Sequence, residues 1–286
     1  MIRIVSDSST LYSVKEGKER NIDIAPLLVT INHKSYKEFE EITSDKFLSL
    51  INEGHMPSSS QPSVGEVLDI YSSYPEDEII NISMADGLSG TYNSACMAAR
   101  MMDHSDNITV INSKTLCGPQ RYMVDTAVNM AESGYSREEI VNTISEMADN
   151  SYSFLIPRDF MYLVRGGRLS SLAGHIGGIM KIVPVLALSK DGGSLNKFAT
   201  TRTFSKAINK ICDNMKENFV DKNYRAYITC SGEENLAISA KKIILESIEL
   251  NEEDIEIMEL SPAFITQGGP GAMAIQFIRK NDILIK

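Results

Sequence analysis

At 286 residues and 43% hydrophobic composition, the chain is long enough for two packed domains and too apolar to stay disordered. Its formal charge of −10 opposes attraction to nucleic acid or anionic lipid headgroups, both of which demand a basic surface, so no nucleic-acid partner is expected. The opening MIRIVSDSST lacks the charged, apolar and small-residue order of a secretory signal, and no run reaches the apolar length of a membrane span; a cytoplasmic protein with no integral membrane segment is expected.

In chain order, IRIVSD reads as a first strand ending in small polar residues. PSSSQPSVGEVLDIYSSY places Ser63 and Glu66 at capping-box spacing, and Val64, Val67, Leu68 and Tyr71 share one helical face, which predicts a helix. IINISMAD predicts a second strand, LSGTYNSACMAARMM a tightly packed helix and ITVINSK a third strand. VDTAVNMAESG predicts a helix stopped by Gly134, and SREEIVNTISEMADN repeats the capping box with Ser136 and Glu139. This alternation belongs to a mostly parallel sheet covered by helices, so residues 1–153 are expected to form an N-terminal α/β domain. From about residue 154 the composition turns glycine-rich and basic in SFLIPRDFMYLVRGGRLSSLAGHIGGIM. KIVPVLALS then reads as a strand and KDGGSL as a hairpin turn, so residues 154–286 are expected to form an α+β domain with antiparallel pairing that the first domain lacks. Two amphipathic helices, TFSKAINKICDNMKENF and EENLAISAKKIILESI, alternate there with the strands YRAYITCS and IEIMEL.

The four cysteines, Cys96, Cys117, Cys212 and Cys230, form no C-x-x-C pair, and His33, His55, His104 and His175 show no ligand spacing, so neither a metal nor a redox motif is expected. In SMADGLSGTYNS a strand delivers Ser89 and Gly90 to a helix N-terminus, where hydroxyl and N–H groups converge on an anion; a simple helix cap at Ser89 is the alternative. The run Gly87-Leu88-Ser89-Gly90-Thr91 is no nucleophile elbow, because its second glycine is misplaced and no histidine follows at an obvious partner site. Ser58-Ser59-Ser60-Gln61-Pro62-Ser63 is a second hydroxyl cluster before a helix, open also to reading as a polar loop. Gly269-Pro270-Gly271-Ala272-Met273-Ala274 loosely matches G-x-G-x-x-A, but the βαβ unit and acidic residue which that fingerprint requires do not follow. Pro270 is expected instead in a first helical turn, with Gly268 and Gly269 letting the backbone approach a ligand. Arg165 and Arg168 flank two glycines in LVRGGRLS, a pattern that suits a carboxylate, a phosphate, an acidic partner or a solvated turn.

Taken in order, IVSDSS, SSQPS, GLSGTY, VINSK, LVRGGRLS, a TRT segment and GGPGA resemble the DegV family over nearly the whole chain. The resemblance implies an N-terminal parallel-sheet α/β domain joined to a C-terminal α+β domain, with a lipid tunnel between them. It implies a carrier and not an enzyme: no cofactor, a bound long-chain fatty acid as ligand, and a fatty acid kinase catalytic subunit as partner, to which the carboxylate is presented for acyl phosphate formation. In relatives the carboxylate is held by the hydroxyl ahead of S-Q-P-S and the serine of G-L-S-G, which are Ser59 and Ser89 here, with the Gly90 N–H nearby. Relatives usually carry threonine at the first position, and H-T-G-P-G where this chain reads Gln267-Gly268-Gly269-Pro270-Gly271. A histidine there can be cationic, whereas Gln267 offers the head group a neutral hydrogen bond, roughly half as strong. Asp86, where small residues are common, adds a repelling charge, so a different acyl chain, a neutral lipid head or weaker binding stays open. Apolar residues from Phe160 to Leu172 and from Ile176 to Leu188 are expected to line the tail, and Arg168 and Arg202 to lie near the head or on a partner-docking surface. Two other functions remain open: a small-molecule enzyme acting on a carboxylated or phosphorylated metabolite, and a lipid-sensing regulatory protein.

Overall fold

The structure is a computed structural model that describes residues 1–169, 182–281 and 283. The chain begins with β1 (Ile2–Asp7), α1 (Val14–Glu19), β2 (Ile22–Ala25), β3 (Leu28–Ile31), β4 (Lys34–Lys37), α2 (Ser44–Asn52) and β5 (Ser58–Ser60). It continues through α3 (Val64–Ser72), β6 (Glu78–Ser83), α4 (Thr91–Arg100), β7 (Ile108–Asn112), α5 (Cys117–Glu132) and α6 (Arg137–Asp149). Four of these strands form a fully parallel sheet in the order β2-β1-β6-β7. Successive side chains of a strand point to opposite faces, and here each face meets its own helical layer. Ile4, Ile80 and Ile82 pack with Met123 and Val124 of α5 and Ile140 of α6. Val5 and Ile79 pack on the other side with Val67, Tyr71, Ala95 and Ala98, the alanines letting α4 approach closely. The capping boxes of Ser63 with Glu66 and Ser136 with Glu139 both close, as their spacing predicts.

Residues 28–60 add a feature that the periodicity does not announce, a three-stranded antiparallel sheet in the order β4-β3-β5. The expectation that the first half lacks antiparallel pairing is therefore corrected. Its strands are only three or four residues long, and the serines of β5 carry no apolar alternation.

The remaining elements are β8 (Ser151–Ile156), α7 (Phe160–Arg165), β9 (Val183–Leu188), β10 (Leu195–Thr201), α8 (Phe204–Glu217), β11 (Tyr224–Cys230), α9 (Glu234–Ser247), β12 (Ile255–Glu259), α10 (Pro262–Gly268) and β13 (Met273–Arg279). Their strands form a mixed sheet, β10-β9-β8-β13-β11-β12, in which only β11 and β12 run parallel. The expected hairpin joins β9 and β10; Asp191 Oδ1 accepts from the Gly193 N–H at 2.9 Å, and Gly192 supplies the positive φ of 74°. Phe154, Ile156, Ile275 and Phe277 point toward α8 and α9, where Ile208, Ile211, Ala240 and Ile244 meet them. Their neighbours Ser153, Leu155, Ala274 and Gln276 therefore lie on the opposite face.

Pro262, and not Pro270, opens the last helix. That helix ends at Gly268, Gly269 turns the chain at φ 78°, and GAMAIQFIRK runs into β13. The expectation of a helix starting at Pro270 is overturned because Met273, Ile275 and Phe277 have the two-residue period of a strand, and β8 and β11 pair with it on either side. Helix α10 folds back onto the first half of the chain: Leu260, Ala263 and Ile265 share a core with Ile4, Ile31 and Phe47. Among the described residues no helix is long and apolar enough to cross a membrane.

The two sheets meet where α5 packs on β11. A Cβ added at Gly118 would fall 2.0 Å from a ring carbon of Tyr227, which is only 2% exposed and has no room to move. Gly118→Ala should therefore cost about 1–3 kcal/mol by overpacking, read as a lower urea midpoint; an unchanged midpoint would show that this contact does not set the spacing of the halves.

Candidate functional site

A cavity enclosing about 880 Å³ of space, part of it open to solvent, lies between the two halves. One wall is Leu27, Met84, Leu88 and Leu116, which follow the carboxyl ends of the parallel strands, where open α/β sheets place their ligands. The facing wall is Leu155, Leu163, Leu188, Leu195 and Ala274, and Leu260, Ala263 and Phe264 close the space from around α10. Of the residues expected to line a tail, Leu163 and Leu188 line this cavity, while 170–181 lie outside the described residues. The first half contributes as much of this lining, through the residues that follow β2, β6 and β7.

Ser59, Ser89, Arg168 and Gln267 all line this cavity, although they come from β5, the β6–α4 loop, the turn after α7 and α10. Pairing of Ser59 with Val29 fixes the first of them. Gln267 Nε2 donates to Ser59 Oγ at 3.0 Å and to Thr266 Oγ1 at 3.1 Å. The Thr266 hydroxyl itself donates to Ala263 O at 2.6 Å, so it accepts from Gln267 and fixes the orientation of the amide. Both amide hydrogens are thus engaged, and Gln267 Oε1 is buried without a hydrogen-bond partner among the described residues. In this arrangement Gln267 supports Ser59 and offers no N–H of its own, whereas the Ser59 hydroxyl, having accepted, keeps its hydrogen for a ligand.

Arg168 owes its place to the two glycines before it. Gly166 leaves room for the amide, since a Cβ there would sit 2.0 Å from Gln267 Oε1, and Gly167 takes φ 74°. The Arg168 N–H returns to Leu163 O at 3.1 Å, a helix-ending geometry that turns the side chain inward. Its Nε donates to Leu88 O at 3.1 Å and its Nη1 to Gly166 O. Burial lowers the Arg168 pKa from its ordinary value, and no neighbouring anion among the described residues opposes that effect. A half-buried cation of this kind can take an anion, and its burial distinguishes it from a freely solvated turn.

The Ser89 hydroxyl shares a 2.8 Å hydrogen bond with Thr91 Oγ1 and accepts from the Thr91 N–H at 3.3 Å, so it braces the start of α4 and lines the cavity at once. Gly90 is not among the lining residues; the Gln61 side chain covers its open side, 2.1 Å from where a Cβ would sit. Arg202 lines a different depression, with Lys206, Lys210 and Asp213, and takes no part in the cavity. Asp86 is exposed and does not line it either. A second, more polar cavity of about 450 Å³ shares Ser59, Arg168 and Gln267 and adds Met56, Tyr162 and Arg165. The polar cluster thus stands between an apolar chamber and a polar vestibule.

The sequence model of the family described as uncharacterised protein, DegV family, matches residues 1–280. The chain belongs to the DegV family. It is 31% identical over 280 residues to DegV domain-containing protein SA1258 of Staphylococcus aureus strain N315, covering 97% of this chain and 98% of that one. It is 35% identical over 222 residues to DegV domain-containing protein TTE1491 of Caldanaerobacter subterraneus subsp. tengcongensis, covering 77% and 78%. Among solved structures, DegV of Bacillus subtilis, a fatty acid binding protein, matches with a TM-score of 0.82 at 27% identity, covering 98% of this chain and 99% of that chain. A fatty-acid-binding DegV family protein of Thermus thermophilus matches with a TM-score of 0.87 at 24% identity and the same coverage. The parallel sheet and the separate mixed sheet are the architecture of this family.

Residues that the sequence reading left without a role hold the DegV cavity open. Glu38 is fully buried; its Oε1 accepts from Ser8 Oγ and its Oε2 from the Ala263 N–H at 2.9 Å. Ser8 Oγ in turn accepts from the Leu27 N–H at 2.8 Å. Asp7 accepts from the N–H groups of Met84 and Ser9, each at 3.0 Å. Three cavity walls, Leu27, Met84 and Ala263, therefore hang from two buried carboxyl groups. Burial raises Asp7 above the usual carboxylate range and pushes Glu38 up to about 7, outweighing the hydrogen bonds that lower it. Burial also pushes the Cys117 thiol up, so this wall residue stays protonated and is no nucleophile.

For Glu38 the raised value means that the native state keeps a proton the unfolded state has released. Its contribution to stability is present below about 4.5 and is lost as pH climbs to about 7. Relative to a Glu38→Gln variant, the wild-type protein should lose on the order of 3 kcal/mol across that window, measured as urea midpoints at fixed pH. Parallel pH profiles for the two proteins would contradict the assignment.

Proposed function

We propose that this DegV protein is a lipid carrier that holds a long-chain fatty acid between two lobes, residues 1–153 and 154–286, with the carboxylate at Ser59, Ser89 and Arg168. The observation that carries this reading is an apolar chamber whose polar rim holds two serine hydroxyls and a half-buried guanidinium without a counter-ion among the described residues. Each buried methylene contributes ~0.8 kcal/mol, so burial of the chain supplies most of the affinity while the rim fixes which end faces outward. Arg168 provides the charge that Gln267 lacks. The similar structure from Bacillus subtilis is that of a fatty acid binding protein, which supports the same class of ligand. Native mass spectrometry of the protein from a bacterial host should reveal a bound acyl species, and stripped protein should take up palmitate. Arg168→Ala should weaken the free acid roughly 10- to 100-fold and leave its methyl ester unaffected. Protein that carries no acyl species and takes up none would remove the reading.

The carrier further presents its carboxylate to the catalytic subunit of a fatty acid kinase in the cytoplasm and catalyses no step itself. The polar vestibule beside Arg165 and Tyr162 supports this, because it meets the acyl chamber at the head cluster and leaves a route to the carboxylate. In the partner's reaction a carboxylate oxygen attacks the γ-phosphorus of ATP, the bond to the β-phosphate oxygen breaks, and acyl phosphate and ADP result. Hydroxylamine trapping should yield acyl hydroxamate only when ATP, magnesium, loaded carrier and a bacterial kinase subunit are combined. Hydroxamate formed without that subunit would instead make the chain an enzyme in its own right.

A further inference from the structure

Gln276 lies on β13 two residues beyond Ala274, and both line the apolar chamber together with Ser153 and Leu155 of the adjacent β8. It is 1% exposed. Strand β13 leads away from α10, which carries Gln267, and Gln276 stands roughly 10 Å along it from Met273. It therefore borders the chain of a bound acid and not its carboxylate. Gln276 Nε2 donates to Leu116 O at 2.9 Å and to Ser153 Oγ at 2.9 Å, and Ser153 Oγ shares a 3.0 Å hydrogen bond with Thr115 Oγ1. A backbone carbonyl only accepts, so the amide hydrogens must face Leu116 and the orientation of Gln276 is fixed. Its Oε1 is then left buried without a hydrogen-bond partner among the described residues.

An acceptor stranded in apolar surroundings is costly until a donor reaches it. A polymethylene chain carries no donor, and an ionised carboxylate only accepts. A hydroxyl group meets both needs: its O–H donates to Gln276 Oε1, and its oxygen accepts the one hydrogen left over from the shared bond of Ser153 and Thr115. We infer that the chamber selects an acyl chain bearing a hydroxyl along its length, bound through Gln276 Oε1, an inference that rests on the fatty-acid reading above.

Stripped protein is titrated with stearate and with monohydroxystearates that differ only in the position of the hydroxyl. One positional isomer should bind about tenfold more tightly than stearate. Gln276→Met should bind stearate at least as tightly as the wild type and lose that preference. Gln276 also holds the start of α5, so Ser153→Ala is measured alongside; it removes a partner of the hydroxyl, keeps Oε1, and should reduce the preference without changing stearate affinity. Stearate binding with every hydroxy isomer equal or weaker overturns the inference, leaves fatty-acid binding intact and assigns Oε1 to an internal water. Failure of every acid, stearate included, removes the fatty-acid reading and this inference with it.

Discussion

An apolar chamber inside a folded chain gains nothing from its own emptiness, so its walls must be held apart by interactions that do not depend on a ligand. Here that constraint falls on Glu38 and Asp7. Through Ser8, Glu38 ties the Leu27 backbone after β2 to the Ala263 N–H at the start of α10, joining segments more than two hundred residues apart in the chain. Asp7 does the same for the Met84 backbone after β6. Loops at the ends of parallel strands cannot satisfy their own N–H groups by sheet pairing, and a buried carboxyl is a compact acceptor for two or more of them. The cost of burying these groups is visible in their raised pKa values, and the return is a cavity with a fixed shape.

The same tether fixes the polar rim. Helix α10 is short, its first turn is anchored on Glu38, and its last turn carries Gln267, which braces Ser59. Arg168 arrives independently from the end of α7, braced on the Leu88 carbonyl of the loop that also carries Ser89. A charge and two hydroxyls thus converge from three separate elements, each held by backbone or side-chain hydrogen bonds already made before any ligand enters. That preorganisation is what lets a few polar atoms orient a molecule whose affinity comes mostly from methylene burial.

Much of this was legible in the sequence wherever the signal was local. The β-branched runs of β1, β6 and β7 and the capping boxes of α3 and α6 declare themselves within a dozen residues. Ser59, Ser89 and Gln267 were found through the order of motifs along the chain, since no spacing rule links positions so far apart. Gly90 and Arg202 lie within the GLSGTY and TRT motifs, and membership of a motif does not decide which way a group faces. Gln61 covers Gly90, and Arg202, between β10 and α8, lines a separate depression with Lys206 and Lys210. Glu38 sits in KEFEEI among charged neighbours, where nothing in the composition marks one carboxylate as buried. Strand β13 was hidden because GGPGA imitates a glycine-rich helix start, and the pairing that resolves it comes from β8 and β11, far away in sequence.

Gln267 and Gln276 show why burial alone does not describe such a chamber. Each is an amide locked by two donated hydrogen bonds, and each leaves one carbonyl oxygen unsatisfied. At Gln267 the free oxygen lies against Gly166, at the margin between chamber and vestibule. At Gln276 it belongs to a residue of the chamber wall, where leucine or methionine of similar volume would fill the space but give up the hydrogen bonds to Leu116 and Ser153. Affinity for a hydrocarbon chain rises with every apolar wall residue, so a polar atom here works against tight binding of plain chains. Its presence makes physical sense as discrimination between chains, because a site that must hydrogen-bond a polar group rejects the analogue lacking it far more strongly than an apolar wall rejects an extra methylene.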